Sequence, residues 1–355
     1  MSQRVLFFFN NLNRTGSETM LFNFICELNK TQEVKIGIVI MDSGGDLVAE
    51  IPENIPVFYL NTAFNLFDKL SFQLGIDVLG NRLKNIQKQF KADIWYFNTI
   101  TNIGLLRYKK AEGVKAWVHV HELLYSFETI KPAEVQTLLD HCDHLIACSK
   151  LVGDIFSPIF NKPITIINSS VNRESIVKFA SSDKKKSDKT KIVASGTICY
   201  VKGTDIFLEV ANLLPAEKFE FIWLGKFAKN GFAEIIKEKN KKFKRVTFLS
   251  TENTEEYISN LSQADMFVST SRSESMGLVL HEAAVLKIPI LSLNCGGAEL
   301  IVNESNGLIC YDERPEEIAK QILELSNRLD DFVNYPELPF DFHLEMVKFT
   351  SLFNK

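Results

Sequence analysis

Residues 5–41, VLFFFNNLNRTGSETMLFNFICELNKTQEVKIGIVIM, decide the fold class. The run Val5 to Phe9 is short, aromatic and β-prone, and polar turn residues follow it, as expected of a strand buried on both faces. Asn10 to Ser17 reads as a loop containing Gly16. From Glu18 to Leu28 the residues Met20, Leu21, Phe24, Ile25 and Leu28 fall on one helical stripe. Val34 to Met41 is a second apolar strand. Strand, glycine loop, helix and strand make a βαβ unit, which predicts a parallel sheet.

Further short strands are expected at Val57 to Leu60, Ile94 to Phe97, Ala116 to Val120, Leu145 to Cys148 and Ile164 to Ile167. Ser181 to Lys191 then carries no apolar residue and reads as an exposed connection. The same grammar restarts with Ile192 to Ser195, Gly196, a loop to Gly203 and an amphipathic helix from Thr204 to Leu214. Strands follow at Phe219 to Leu224, Val246 to Leu249, Met266 to Val268 and Ile288 to Leu293. Two βαβ-rich halves predict an α/β chain of two doubly wound domains facing across a cleft. The expected division is residues 1–175 for the first domain, 176–191 for the linker and 192–339 for the second domain. A terminal helix within 340–355 is expected to pack back on the first domain.

Composition agrees with this reading. At roughly 100–200 residues per domain, the 355 residues suggest two domains, and 46% hydrophobic against 24% charged residues exclude disorder, collagen and coiled coil. The six cysteines are scattered without a CxxC pair, so neither zinc nor a disulfide framework is expected. A formal net charge of -4 lacks the basic field of nucleic-acid binders. The apolar run at Val5 to Phe9 is too short for a signal peptide, and no stretch approaches the ~20 residues that span a bilayer. A cytoplasmic protein is expected, with peripheral contact at the inner face of a membrane left open. Phe occurs 28 times, against eight Tyr and three Trp. The aromatic and aliphatic stretch Phe64 to Leu74, followed by Arg82, Lys84, Lys88 and Lys91, would suit a lipid-linked acceptor at an anionic surface, or simply a core helix followed by a solvated one.

Ligands of open α/β sheets bind beyond the carboxyl ends of the strands. Gly16 and Ser17 stand at a helix N-terminus, whose amides suit a phosphate or merely cap the helix. In the loop Gly196 to Gly203, Lys202 would project at another helix start, where a cation can hold a diphosphate. Ser273-Glu-Ser-Met-Gly-Leu-Val-Leu-His-Glu282 is the most informative stretch. Two carboxylates, Glu274 and Glu282, flank a helix N-terminus at which Met276, Gly277 and Leu278 offer N–H groups. That layout suits a ligand with phosphate in the middle and hydroxyl-bearing rings at both ends, as in a sugar nucleotide.

The same residues carry a family resemblance. Glu274 and Glu282 reproduce the E-x7-E spacing of retaining glycosyltransferases of family 4, and Ser273 to Ala283 resembles that family's EGFGLVLLEA stretch. Pro289 to Ile301 and Asn306 to Ile309 are similar to its PVVAS, GGxxEL and NG segments. Val193 to Gly203 resembles VGRLxxxKG, Ala147 to Lys150 with Ile167 to Asn172 resembles VSK and IxNGVD, and Val120-His-Glu122 resembles its HD pair. The resemblance implies a GT-B fold of two Rossmann-like domains, with a nucleoside diphosphate sugar as substrate rather than cofactor and no metal. It implies that Glu282 binds the ribose, that Glu274 contacts the donor sugar, and that Lys202 neutralises the diphosphate beside Gly196, Thr197, Met276, Gly277 and Leu278. Gly16 and Ser17 would help across the cleft, and His121 would face the reacting sugar, with His119 structural. The implied reaction is sugar transfer with retention to a saccharide or lipid-linked acceptor, in bacterial surface polysaccharide or glycoconjugate synthesis.

Three positions depart from the family pattern. Thr197 stands where Arg is usual, Thr15-Gly-Ser17 replaces a double glycine and Asn168-Ser-Ser170 replaces NG; Arg272 or Lys226 is a candidate for the missing cation. A nucleotide-sugar-binding protein with a decayed site and a sugar-nucleotide epimerase are the alternatives. A Rossmann oxidoreductase is disfavoured because GxGxxG is absent after both opening strands.

Overall fold

The computed structural model describes residues 2–42, 44–60, 77–181, 184, 187–332, 335 and 339–354. Phe64 to Leu74, the stretch considered above for a lipid-linked acceptor, lies outside the described residues.

The chain divides into two compact units, Met1–Ser169 with His343–Lys355 and Ser170–Phe342. The first holds a seven-stranded sheet in the order β3-β2-β1-β4-β5-β6-β7, every pair parallel. Its strands are β1 (Gln3–Phe9), β2 (Val34–Ile40), β3 (Val57–Tyr59), β4 (Ile94–Phe97), β5 (Lys115–Val120), β6 (His144–Ala147) and β7 (Ile164–Ile166). The second unit holds a parallel six-stranded sheet in the order β10-β9-β8-β11-β12-β13. These are β8 (Thr190–Ser195), β9 (Phe219–Leu224), β10 (Val246–Leu249), β11 (Met266–Ser269), β12 (Ile290–Leu293) and β13 (Gly307–Cys310).

Central strands of parallel sheets are covered on both faces, so they read as unbroken apolar runs. Val5 to Phe9 of β1 are fully buried, as are Ile94 to Phe97 of β4 beside it. The helix Gly16–Thr31 buries Met20, Leu21, Phe24, Ile25 and Leu28, the predicted stripe, and adds Phe22. One strand, β13, was not expected: it is four residues long and opens on Gly307, where a Cβ would stand 2.0 Å from the Ile290 carbonyl oxygen.

The second unit begins at Ser170, ahead of the exposed connection Ser181 to Lys191 read from composition. The helix Arg173–Phe179 packs on two helices of the second unit, Thr254–Leu261 and Leu278–Val285. Lys184 then ion-pairs with Asp265, and Thr190 already begins β8. Between these points the described residues are mostly exposed.

The terminal helix Phe342–Ser351 shows where part of the phenylalanine excess is used. Phe349 lies 5.1 Å from the Phe24 ring and 5.9 Å from Tyr96, and Phe353 lies 5.4 Å from Trp117. The buried Glu345 carboxylate accepts hydrogen bonds from the Asn168 backbone N–H (2.8 Å) and side-chain amide (3.0 Å). The Asn168-Ser-Ser170 departure from the family pattern thus coincides with the anchor of the terminal helix.

Each sheet reverses its winding once. In the first, β1 lies between β2 and β4; in the second, β8 lies between β9 and β11. Loops leaving the carboxyl ends on either side of such a point diverge and open a crevice. They are the loops after β1 and β4 in the first unit and after β8 and β11 in the second.

Candidate active site

In the second unit the loop after β8 runs from Gly196 to Gly203. Gly203 caps the helix Thr204–Leu213 at φ +66°, and a Cβ there would fall 1.8 Å from the Thr270 carbonyl oxygen. Only glycine allows the loop to press against the chain leaving β11. That approach sets Lys202 beside the next loop, its stem lying over Gly196. Its Nζ stands 2.5 Å from Glu274 Oε1. Burial alone would depress the Lys202 ammonium, but the Glu274 carboxylate outweighs it and holds the lysine above its usual range.

Glu274 is itself fixed at both main-chain ends: its N–H donates to the Cys295 carbonyl (2.7 Å) and its carbonyl accepts from Gly297 N–H (2.9 Å). Three residues on, Gly277 caps the helix Leu278–Val285, so the first free amides of that helix follow directly on the Lys202–Glu274 pair. Lys202, Gly196 and Glu274 thus lie together just ahead of the helix that Met276, Gly277 and Leu278 lead into, while Thr197 is exposed on its loop.

Glu282, on the same helix, has a partner that sequence reasoning missed. Tyr257 OH donates to Glu282 Oε2 (2.7 Å), and Ser195 Oγ, at the end of β8, donates to Tyr257 OH (3.0 Å). Burial, only partly countered by the tyrosine hydroxyl, pushes the Glu282 carboxyl up to about 7. Arg272, one candidate for the missing cation, is already paired. Asp205 holds its guanidinium through two hydrogen bonds of 2.8 Å, and the ring of Tyr200 lies 4.0 Å beneath it. The Lys226 carbonyl accepts from Ile198 N–H, tying the loops after β8 and β9.

In the first unit, Gly16 and Ser17 open the helix Gly16–Thr31, whose N-cap Thr15 makes no side-chain cap bond. His121 follows β5. Asn98, just after β4, joins the two: its amide donates to the Ser17 carbonyl (3.4 Å) and its Oδ1 is 3.0 Å from His121 Nε2. This assigns the proton to Nε2 and leaves Nδ1 as an acceptor. Burial pushes His121 down to about 3, so it is neutral at physiological pH. His119 is fully buried, with Nδ1 2.9 Å from Tyr96 OH and its ring 4.1 Å from that of His121. Glu122 accepts from Thr99 OH (2.5 Å) and from the His121 N–H (2.9 Å). Glu18, in the first turn of the helix, is pushed up to about 8 by burial and by the Glu122 charge.

Comparison with known proteins bears first on the second unit. Residues 189–328 match the sequence model of the family described as "Glycosyl transferases group 1". An "Uncharacterized glycosyltransferase MJ1178" of Methanocaldococcus jannaschii is 24% identical over 186 residues, which are 52% of this chain and 50% of that protein. The chain thus spans about half the length of that relative. Two solved structures align along almost the whole chain. The Anabaena protein Alr3699/HepE in complex with UDP and glucose superposes with a TM-score of 0.77 at 16% identity, covering 99% of both chains. Sucrose-phosphate synthase of Thermosynechococcus elongatus gives 0.79 at 14% identity, covering 99% of this chain and 98% of that one. The fold is GT-B. The described elements supply the two parallel α/β sheets of GT-B, and the family match falls on the unit that carries Lys202, Glu274 and Glu282. Among the described residues no helix is long and apolar enough to cross a membrane.

Proposed function

We propose that this chain is a group 1 glycosyltransferase that moves a sugar from a nucleoside diphosphate sugar, in the first instance a UDP-sugar, to a hydroxyl of a saccharide or lipid-linked acceptor. The observation that carries the reading is the Lys202–Glu274 pair at the winding reversal of the second sheet, directly before a helix N-terminus. Loss of the diphosphate leaving group develops negative charge, and a cation with aligned N–H groups lowers that barrier. In this reading Lys202 and the amides of Met276 to Leu278 hold the diphosphate. Glu282 takes the ribose hydroxyls and Glu274 those of the donor sugar. Counter-charge comes from the protein rather than from a divalent ion. With no carboxylate assigned as nucleophile, retention would follow from same-face attack, the leaving phosphate oxygen taking the acceptor proton. Gly16, Ser17 and neutral His121 would serve the reacting end.

UDP release from a panel of UDP-sugars tests the proposal. Glu274→Ala should abolish turnover while keeping the wild-type circular dichroism spectrum, and full turnover in that variant would refute the assignment. One observation favours a second reading, a nucleotide-sugar-binding protein without transfer: Arg272 is committed to Asp205, and Thr197 stands where a second cation is usual. UDP-sugar binding without UDP release would select it. Surface polysaccharide or glycoconjugate synthesis at a membrane face belongs to the same proposal, motivated by exposed Lys84 and Lys88. Sedimentation with anionic vesicles tests it, and a protein left in the supernatant would count against it.

A further inference from the structure

The first unit contains a pocket of its own, about 290 Å³, beyond the carboxyl ends of β4 and β5. It is lined by Thr101, Glu122, Tyr125, Ser126, Glu128 and Thr129, with two isoleucines. We infer that this pocket seats one uncharged sugar ring of the acceptor and discriminates against phosphorylated acceptors. The inference rests on the transferase reading above and extends it to the acceptor's chemical class.

Three features carry it. The volume stands at the lower end of ligand pockets, roughly 300–1,000 Å³, which suits one ring rather than an extended chain. The lining presents three aliphatic hydroxyls and two carboxylates beside Tyr125, an aromatic ring 47% exposed. Hydroxyls and carboxylates match the donors of a polyol, and an exposed aromatic face matches the C–H face of a pyranose. Among the described residues no lysine or arginine lines the pocket, so a phosphate there would meet two carboxylates and no counter-charge. The position fits a reacting hydroxyl, because Glu122 adjoins His121 and its two oxygens already accept from Thr99 OH and the His121 N–H. Glu128 and Tyr125 have no side-chain partner among the described residues, which leaves them available to a ligand.

The test is saturation-transfer NMR on the full chain with UDP present, using methyl glucoside, methyl N-acetylglucosaminide, glucosamine and glucose 6-phosphate as probes. At least one neutral glycoside should bind at least tenfold more tightly than glucose 6-phosphate. Tyr125→Ala should weaken the glycoside at least tenfold. Glu128→Lys, which replaces a repelling charge with an attracting one a few ångströms from the ligand, should shift the preference toward glucose 6-phosphate by about tenfold. Equal or tighter binding of glucose 6-phosphate to the wild type, binding of glucosamine alone, or a preference indifferent to both variants would overturn the inference. The wild-type competition decides the matter even if a variant fails to fold. UDP resonances in the same samples separate the two claims. Bound UDP without glycoside binding refutes the pocket assignment only, whereas absent UDP binding counts against the transferase reading.

Discussion

Replacing Glu282 by Gln should stabilise the second unit, and the gain should depend on pH. Burial raises the carboxyl from 4.5 to about 7 in the folded chain. Between those values the folded state binds a proton that the unfolded state has released, so stability is full below pH 4.5, falls as pH rises to 7 and is flat above. At about 1.4 kcal/mol per pH unit the charged form costs the folded unit about 3 kcal/mol. That figure is an upper bound, since Glu282 retains some solvent exposure. Glutamine carries no such charge, and its carbonyl can still accept from Tyr257 OH. The difference between variant and wild type should therefore grow from near zero at pH 4 to about 3 kcal/mol at pH 8, roughly 6–12 °C in Tm for a unit of this size. Buried His281, pushed down to about 4, titrates with the opposite sign, but it is common to both proteins and cancels in the difference. Paired thermal scans from pH 4 to 8.5 measure it. A Tm difference that stays constant with pH refutes the argument.

Two further perturbations bear on the scaffold. Phe349→Ala empties the ring cluster around Phe7, Phe24 and Tyr96 and should cost the first unit about 3–5 kcal/mol, read as a lower urea midpoint with an unchanged m value. Gly203→Ala places a Cβ on the Thr270 carbonyl at a positive φ; Tm should fall and UDP affinity should weaken together, because the loop that carries Lys202 must withdraw.

The sequence was informative wherever burial alone dictates residue choice. Val5 to Phe9 and Ile192 to Ser195 are legible because both faces of those strands are covered, and the positions of Lys202 and Glu274 in loops after such strands, with Glu282 in the helix that follows, are legible for the same reason. The partners that orient them were not. Tyr257 lies 62 residues from Ser195 and 25 from Glu282, and only the packing of the helix Thr254–Leu261 joins all three. Asn98, which links Ser17 to His121, depends in the same way on β1, β4 and β5 standing side by side. The pairing of Arg272 was equally hidden: nothing local signals that Asp205, 67 residues earlier, clamps it. Glu18 reads locally as an ordinary first-turn helix acid, and only the fold buries it and sets it near Glu122, which together raise its carboxyl to about 8.

The central claim is that the crevice around Lys202, Glu274 and Glu282 holds a nucleoside diphosphate sugar. Calorimetric titration of the full chain with UDP and UDP-glucose, repeated on Lys202→Met, tests it most directly. The wild type should bind UDP, and methionine, which keeps the length of the side chain but not the charge, should weaken that binding about tenfold or more, as expected for a lost charge-assisted phosphate contact of roughly 1.5–3 kcal/mol. Unchanged UDP affinity in Lys202→Met, or no binding of UDP or UDP-glucose to the wild type, would contradict it.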